Sequence, residues 1–393
     1  MKTITDLDGV YAGAVASGIK KDKLDLAFIF IPKVYSTAGV FTKNKFIAPC
    51  LELTKKNLNK KNFKAIIINS GNANAATGKQ GLKNAKKTAE IAAKILDIKA
   101  AEIGVASTGI IGVQLPMEKL EIGLDKLLAN PLVKKGNLVA EAIKTTDLIT
   151  KEVYVAEIID GKEIVIAGVA KGSGMIAPNM GTMLAFLVTN AKISPKNLKS
   201  FLKDSVDDSF NMVSVDTDSS TNDMVLLSST GENELNFNSI NNIKAFQALL
   251  DQATIELARL IAIDGEGAEH LIEVNINGAS KRKEAKKLAL NVVNSPLVKT
   301  AVHGADPNWG RVLAALGKDP DLKVKPHLVD LYIQGYQIIE QGEILSFNRD
   351  ELILALKQKE VKINIDLNIA KGQATAWGCD LTKGYIDINS KYN

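Results

Sequence analysis

Apolar and polar positions along this chain follow two periods, and each predicts a different element. Short unbroken apolar runs bounded by turn residues read as buried strands. Three come early: Leu24 to Ile31, ending at Pro32; Ala65 to Ile68, closing on Asn69-Ser70-Gly71; and Ile103 to Ala106, leading into a turn at Ser107-Thr108-Gly109. Val153 to Ile158 and Glu163 to Val169 flank Asp160-Gly161, a hairpin signal. Later strands are expected over Met212 to Val215, Met224 to Ser228, Leu271 to Ile276 and Val298 to Val302. Strict alternation predicts two more, Val361 to Leu367 and a terminal one over Tyr385 to Asn389. Helical spacing appears in Leu82 to Leu96, where Leu82, Ala85, Ala89, Ala92 and Leu96 share a face. It recurs in Met117 to Leu128, Leu138 to Ile143, Asn197 to Phe210, Ile243 to Ile263 and Ser280 to Val293, and His303 to Arg311 opens a further helix. Strands and helices mix without regular alternation and without the G-x-G-x-x-G opening of a doubly wound nucleotide fold.

Composition narrows the class. The 393 residues suffice for two or three domains, or for one large two-lobed unit. Hydrophobic residues at 46% and charged residues at 24% are ordinary globular values, so a large core needs no disulfide or metal staple. The net charge of +5 comes from 49 basic residues scattered against 44 acidic ones. The densest basic patches, Lys55 to Lys64 and Lys281 to Lys287, lack an arginine face and have few aromatics, so no nucleic-acid partner is expected. Cys50 and Cys379 stand far apart with no C-x-x-C spacing, which fits a reducing compartment. The N-terminus has early acids and no apolar signal segment, and no run approaches a membrane span. A cytoplasmic protein without a membrane partner is expected. His270, His303 and His327 form neither a Ser/His/Asp nor a metal-ligand arrangement, so no metal is expected.

The candidate chemistry centres on Lys171 to Phe186, KGSGMIAPNMGTMLAF. Small residues (Gly172, Ser173, Gly174) precede a turn at Pro178-Asn179, and Gly181-Thr182 stands ahead of the apolar run Met183 to Val188. Thr182 therefore falls where a loop feeds a buried strand. A threonine there, after a residue with no side chain, is suited to a self-cleaving N-terminal nucleophile. Gly181 permits the backbone geometry in which the hydroxyl attacks its own preceding carbonyl. Cleavage would free an α-amine, of ordinary pKa ~7.7–8.0, as the base for that hydroxyl. Taken alone, Gly-Thr reads more readily as a turn entering a core strand. The segment NSGNANAATGKQG (Asn69 to Gly81) lacks the ending of a phosphate loop, because Gln80 follows Lys79.

The whole string KGSGMIAPNM-G-TMLAF resembles the cleavage and active-site segment of the ornithine acetyltransferase (glutamate N-acetyltransferase) family of arginine biosynthesis. That family more often has Ala where this chain has Gly181. The resemblance extends through AGVFTKN (Ala38 to Asn44), NSGNANAATG, ASTGIIG (Ala106 to Gly112), TTD (Thr145 to Asp147), NDM (Asn222 to Met224), DGEGA (Asp264 to Ala268) and DPNWGR. It implies an α/β (α+β layered) fold, an N-terminal-nucleophile-like sandwich with a smaller second lobe. Residues 1–181 become an α chain and 182–393 a β chain that begins with the nucleophile, assembled as an α2β2 heterotetramer.

The resemblance implies that Thr182 is the nucleophile and that Thr108 and Gly109 form the oxyanion hole. It assigns substrate binding to Thr145, Lys171, Thr182, Glu266 and Asn389. The family's chain runs on to a terminal Ser or Thr that also touches substrate; here the chain ends at Asn393, whose substitution for that contact stays open. The implied reaction moves acetyl from N2-acetyl-L-ornithine to L-glutamate without a cofactor. Some members also use acetyl-CoA as a co-substrate, which the sequence does not decide. A hydrolase of related architecture, an amidase or aminopeptidase in which water takes the acyl group, is one alternative. A non-catalytic binding protein that keeps the fold is another.

Overall fold

The computed structural model describes residues 2–60, 62–177 and 183–391. The chain divides into two compact units: a larger one of Met1–Gly172, Asn179–Asp207 and Ser219–Leu257, and a smaller one of Ser173–Pro178, Asp208–Asp218 and Ala258–Asn393. Both mix helix and sheet, as the α/β expectation required.

The first unit is built on two sheets. One runs in the order β1 (Tyr11–Val15), β2 (Leu26–Phe30), β4 (Ala65–Asn72), β5 (Ile103–Ile110). All five residues of β2 are buried, which explains why this strand reads as a continuous apolar run rather than an alternation. β4 and β5 pair in parallel, with Ala65 opposite Ile103, so a crossover must join them. The helix Gly78–Leu96 supplies it. Its buried face is made mostly of small residues, Gly81, Ala85, Thr88, Ala89, Ala92 and Ala93, with Asn84 and Leu96, so the backbone can approach its neighbours closely. The second sheet follows the order β3 (Ser36–Phe41), β10 (Met224–Glu234), β8 (Leu184–Lys192), β7 (Lys162–Lys171), β6 (Lys151–Ile159). β6 and β7 form the expected hairpin, and Asp160 and Gly161 both take positive φ (55° and 73°) as a tight two-residue turn demands. β8 is buried over Leu184 to Ala191, as its apolar run predicted.

The second unit holds one mixed sheet in the order β14 (Glu343–Ile344), β13 (Tyr336–Glu340), β12 (Asp330–Ile333), β15 (Glu360–Asp366), β11 (Leu271–Ala279), β16 (Gly372–Cys379), β9 (Val213–Ser214). β11 is central, parallel to β15 and antiparallel to β16. Among its helices, Arg282–Val293 buries Ala285, Leu288, Ala289, Val292 and Val293.

Four expectations need correction. Val298 to Val302 is helical, within Pro296–His303: Ser295 caps the helix by accepting the Val298 N–H, and Pro296 fills the first turn. Tyr385 to Asn389 is also helical, within Lys383–Asn389, with Ile386 64% exposed, so no sheet face uses its alternation. β4 and β5 both run past the points where their apolar runs stop, so Asn69-Ser70-Gly71 and Ser107-Thr108-Gly109 are strand rather than turn. Ser107 and Asn69 pair across the two strands, and Ser70 Oγ donates to the Ala142 carbonyl, instead of being turned to water. Met212 to Val215 shrinks to the two-residue β9.

Candidate active site

In the first unit, the end of β5 and the end of β7 carry the chemistry. Thr108 and Gly109 pair with Ser70 and Gly71 of β4, where the register slips at Gly71/Asn72. That slip brings β4 backbone against Gly109. A Cβ at 109 would stand 2.4 Å from the Gly71 carbonyl carbon and 2.6 Å from the Asn72 nitrogen, and φ is +128°. Only glycine fits there. Beneath the pair, Asn222 donates through Nδ2 to the Ala73 and Ser107 carbonyls at 2.6 and 2.8 Å. Ser107 Oγ donates to Asn69 Oδ1 at 2.7 Å, and Asn69 Nδ2 donates to the Asn72 carbonyl at 2.8 Å. These side-chain amides satisfy backbone groups where the ladder is irregular.

Lys171, the last residue of β7, is 2% exposed. Its ammonium donates to Thr145 Oγ1 at 2.9 Å and to Thr108 Oγ1 at 3.5 Å, and lies 3.9 Å from Asp147 Oδ2. Asp147 is the hub. Its Oδ1 accepts from Lys151 Nζ at 2.8 Å and the Gly172 N–H at 2.7 Å, and its Oδ2 accepts the Thr145 N–H at 3.0 Å. Burial alone would raise this carboxyl, but Lys171 and Lys151 with those hydrogen bonds outweigh it and hold it well below the usual carboxylate range. Two ammonium groups thus converge on one carboxylate.

Asp223, just ahead of β10, behaves oppositely. It is fully buried and accepts the Met183 N–H through Oδ1 at 3.0 Å. Burial pushes its carboxyl well above the ordinary value, against the Met183 bond, the Ser220 and Thr42 hydroxyls and Lys171. Its Oδ2 has no hydrogen-bond partner among the described residues.

In the second unit, Glu266 is 7% exposed and accepts from Asn389 Nδ2 at 2.8 Å through Oε2. Its N–H donates to the Ser173 carbonyl at 3.1 Å, and Ser173 Oγ donates to the Asp264 carbonyl at 2.6 Å. A Cβ on Gly174 would lie 2.3 Å from the Glu266 carboxylate, so the backbone at Gly174 passes Glu266 closely. Asp216 accepts the Met175 and Ile176 N–H groups at 2.6 and 3.0 Å, and burial raises its carboxyl above the ordinary value. Tyr385 is pushed up to about 12 by burial, with the charges of Asp216 and Glu266 adding to it. Two acids with a tyrosine and an amide make a group suited to a cation.

The structure thus gathers Thr108, Gly109, Thr145 and Lys171 in one group and Glu266 with Asn389 in another, each within its own unit. Gly181, Thr182 and Asn393 lie outside the described residues. The sequence reading missed Asp147, Lys151, Asp216, Asn222 and Asp223. The Asp147/Lys151 spacing of four was a legible ion-pair signal, and Asn222 and Asp223 stood in the NDM motif without a role; Asp216 had no signal beyond its polar loop. It also missed that Glu269, His303 and Asp380 converge, with ligand-type atoms within 4.8 Å of one another. Asp380 Oδ1 there accepts the Glu269 and His270 N–H groups at 2.8 and 2.9 Å, fastening the loop that follows Glu266. No described helix is long and apolar enough to cross a membrane.

A preformed lysine–carboxylate–threonine cluster at the mouth of a buried strand, beside a glycine corner, defines an α/β protein equipped to hold a small charged molecule. The ArgJ family model matches residues 11–393. An arginine biosynthesis bifunctional protein ArgJ from Bacillus cereus is 42% identical over 387 residues, 98% of this chain and 95% of that protein. One of the same name from Oceanobacillus iheyensis is 44% identical over 393 residues, 99% and 96% of the two chains. The crystal structure of an ArgJ from Bacillus halodurans, 38% identical, superposes on 52% of this chain and 97% of its own with a TM-score of 0.49. The chain belongs to the ArgJ family.

Proposed function

We propose that this chain is a glutamate N-acetyltransferase of arginine biosynthesis, moving acetyl from N2-acetyl-L-ornithine to L-glutamate through an acetyl-Thr182 intermediate. The observation that carries the reading is the buried contact of Lys171 with Thr145 and Thr108, which puts a carboxylate-binding cation against a candidate oxyanion donor. In this mechanism the chain cuts itself between Gly181 and Thr182, and the new α-amine accepts the proton as Thr182 Oγ attacks the acetyl carbonyl. The Thr108 hydroxyl and the Gly109 N–H stabilise the negative oxygen that develops. The C–N bond then breaks, ornithine leaves with the proton, and the glutamate amine attacks the acetyl ester by the reverse route. Lys171 and Thr145 take the carboxylate of the amino acid; Glu266 and Asn389 take the amine of ornithine. One amide replaces another, so the exchange needs no cofactor. Acetyl-CoA as a second donor would enter at the same Thr182. The pieces 1–181 and 182–393 stay together, two of each, in the cytoplasm.

Intact mass of freshly purified protein tests this directly. The 42.2 kDa chain should split into fragments of roughly 19 and 23 kDa, and Thr182→Ala should stay whole. The purified protein should then transfer acetyl from acetylornithine to glutamate faster than it releases acetate to water. An uncut wild-type chain refutes the nucleophile; acetate as the main product favours the hydrolase.

A further inference from the structure

Met183 follows the proposed nucleophile in the chain, and both of its backbone polar groups are held by two consecutive residues at the start of β10. Its N–H donates to Asp223 Oδ1 at 3.0 Å, and its carbonyl accepts the Met224 N–H at 3.1 Å. β10 and β8 are parallel, with Met224 opposite Leu184, so Asp223 stands level with Met183. Asp223 is itself anchored, because its carbonyl accepts the Thr42 N–H at 3.1 Å from the chain just beyond β3. A carboxyl with no solvent exposure and one oxygen lacking a partner among the described residues is costly unless it has a task.

We propose that Asp223 is a positioning residue for Thr182: its carboxyl clamps the N–H of Met183, the next residue in the chain, and so fixes the entry to β8. This rests on Thr182 being the nucleophile. The carboxyl acts through Thr182 rather than on substrate. It fixes the main chain on which the nucleophile sits, and fixing such geometry to within an ångström is worth about 10²-fold in rate.

The test compares wild type, Asp223→Asn and Asp223→Ala for self-cleavage by timed intact mass, for kcat and KM of acetyl transfer, and for melting temperature. Asparagine keeps the contact without ionising: its carbonyl accepts the Met183 N–H. It should cleave and turn over within about tenfold of wild type, while alanine should lower kcat by about 100-fold with KM little changed. An asparagine variant as inactive as alanine would show that the ionised carboxylate is required and overturn the proposal. Alanine at wild-type rate would overturn it equally. Should alanine fail to fold, the asparagine result decides alone. Wild type that neither cleaves nor transfers acetyl marks failure of the underlying reading, which the wild-type lane shows separately.

Discussion

Removing the charge of Asp147 should cost the fold more than any single apolar truncation at its surface. The side chains of Asp147 and Lys151 are both 0% exposed at 2.8 Å, and the Lys171 side chain is 2% exposed at 3.9 Å. Asp147→Asn keeps the volume but only one acceptor oxygen, so either the Gly172 or the Thr145 N–H loses its partner. It leaves two buried ammonium groups without their shared carboxylate, a change worth about 3–5 kcal/mol. For a unit of this size each kcal/mol moves the melting temperature by about 2 °C or more, so a loss of at least ~6 °C is expected at pH 7. The pH dependence has a definite sign. Burial opposes ionisation, but the two lysines and the hydrogen bonds depress the folded-state pKa below its unfolded value of ~3.9. The contribution is therefore complete above that value and drains away as pH falls toward the lower folded-state one. Urea unfolding followed by circular dichroism at pH 7 and at stepwise lower pH should show a wide gap between wild type and variant that narrows below about pH 4. A gap under 1 kcal/mol at pH 7, or one unchanged by acid, would refute the reasoning. The variant should also raise KM, because Asp147 holds both Lys171 and the N–H of Gly172 in place.

Two further changes separate chemistry from architecture on β5. Thr108→Val preserves shape and removes the hydroxyl, so kcat should fall by ~10²–10³ with the melting temperature nearly unchanged; a rate within threefold would remove Thr108 from the oxyanion site. Gly109→Ala forces a Cβ into the Gly71–Asn72 backbone at positive φ, and expression should shift to unfolded or uncleaved chain. Soluble, fully cleaved Gly109→Ala protein, judged by intact mass and circular dichroism, would count against the close backbone approach.

What the chain disclosed beforehand depended on whether a signal was local. The Asp160-Gly161 hairpin and the helix Gly78–Leu96 are written in turn chemistry and in one amphipathic face, and both appear as read apart from a few terminal residues. Val298 to Val302 misled because a short apolar run looks alike on a strand or on a buried helix. The capping Ser295 and Pro296 carried the deciding information. The terminal alternation from Tyr385 misled for the opposite reason: with no neighbouring strand, period two has nothing to face. Thr108, Thr145, Lys171, Glu266 and Asn389 could be named from family resemblance, but their partners could not. Asp147 and Asp223 stand within the TTD and NDM motifs, but the motifs name no partner for either. Only the folded chain shows that one lies between two lysines and the other is buried against Met183.

The interleaving of the five-stranded sheet bears on what a cut after Gly181 would produce. β3, β6 and β7 precede that point and β8 and β10 follow it, yet the spatial order is β3-β10-β8-β7-β6. The second piece would supply two adjacent central strands, flanked on either side by strands of the first. The two polypeptides would then have no interface in the sense of surfaces that could part and re-dock. Separating them would expose the ladder edges of β3, β7, β8 and β10 together, which amounts to melting the layer. Such products would remain a single folding unit with a nick in it, and dilution alone would not resolve them. Refolding from separately produced halves would have to rebuild the sheet by strand insertion.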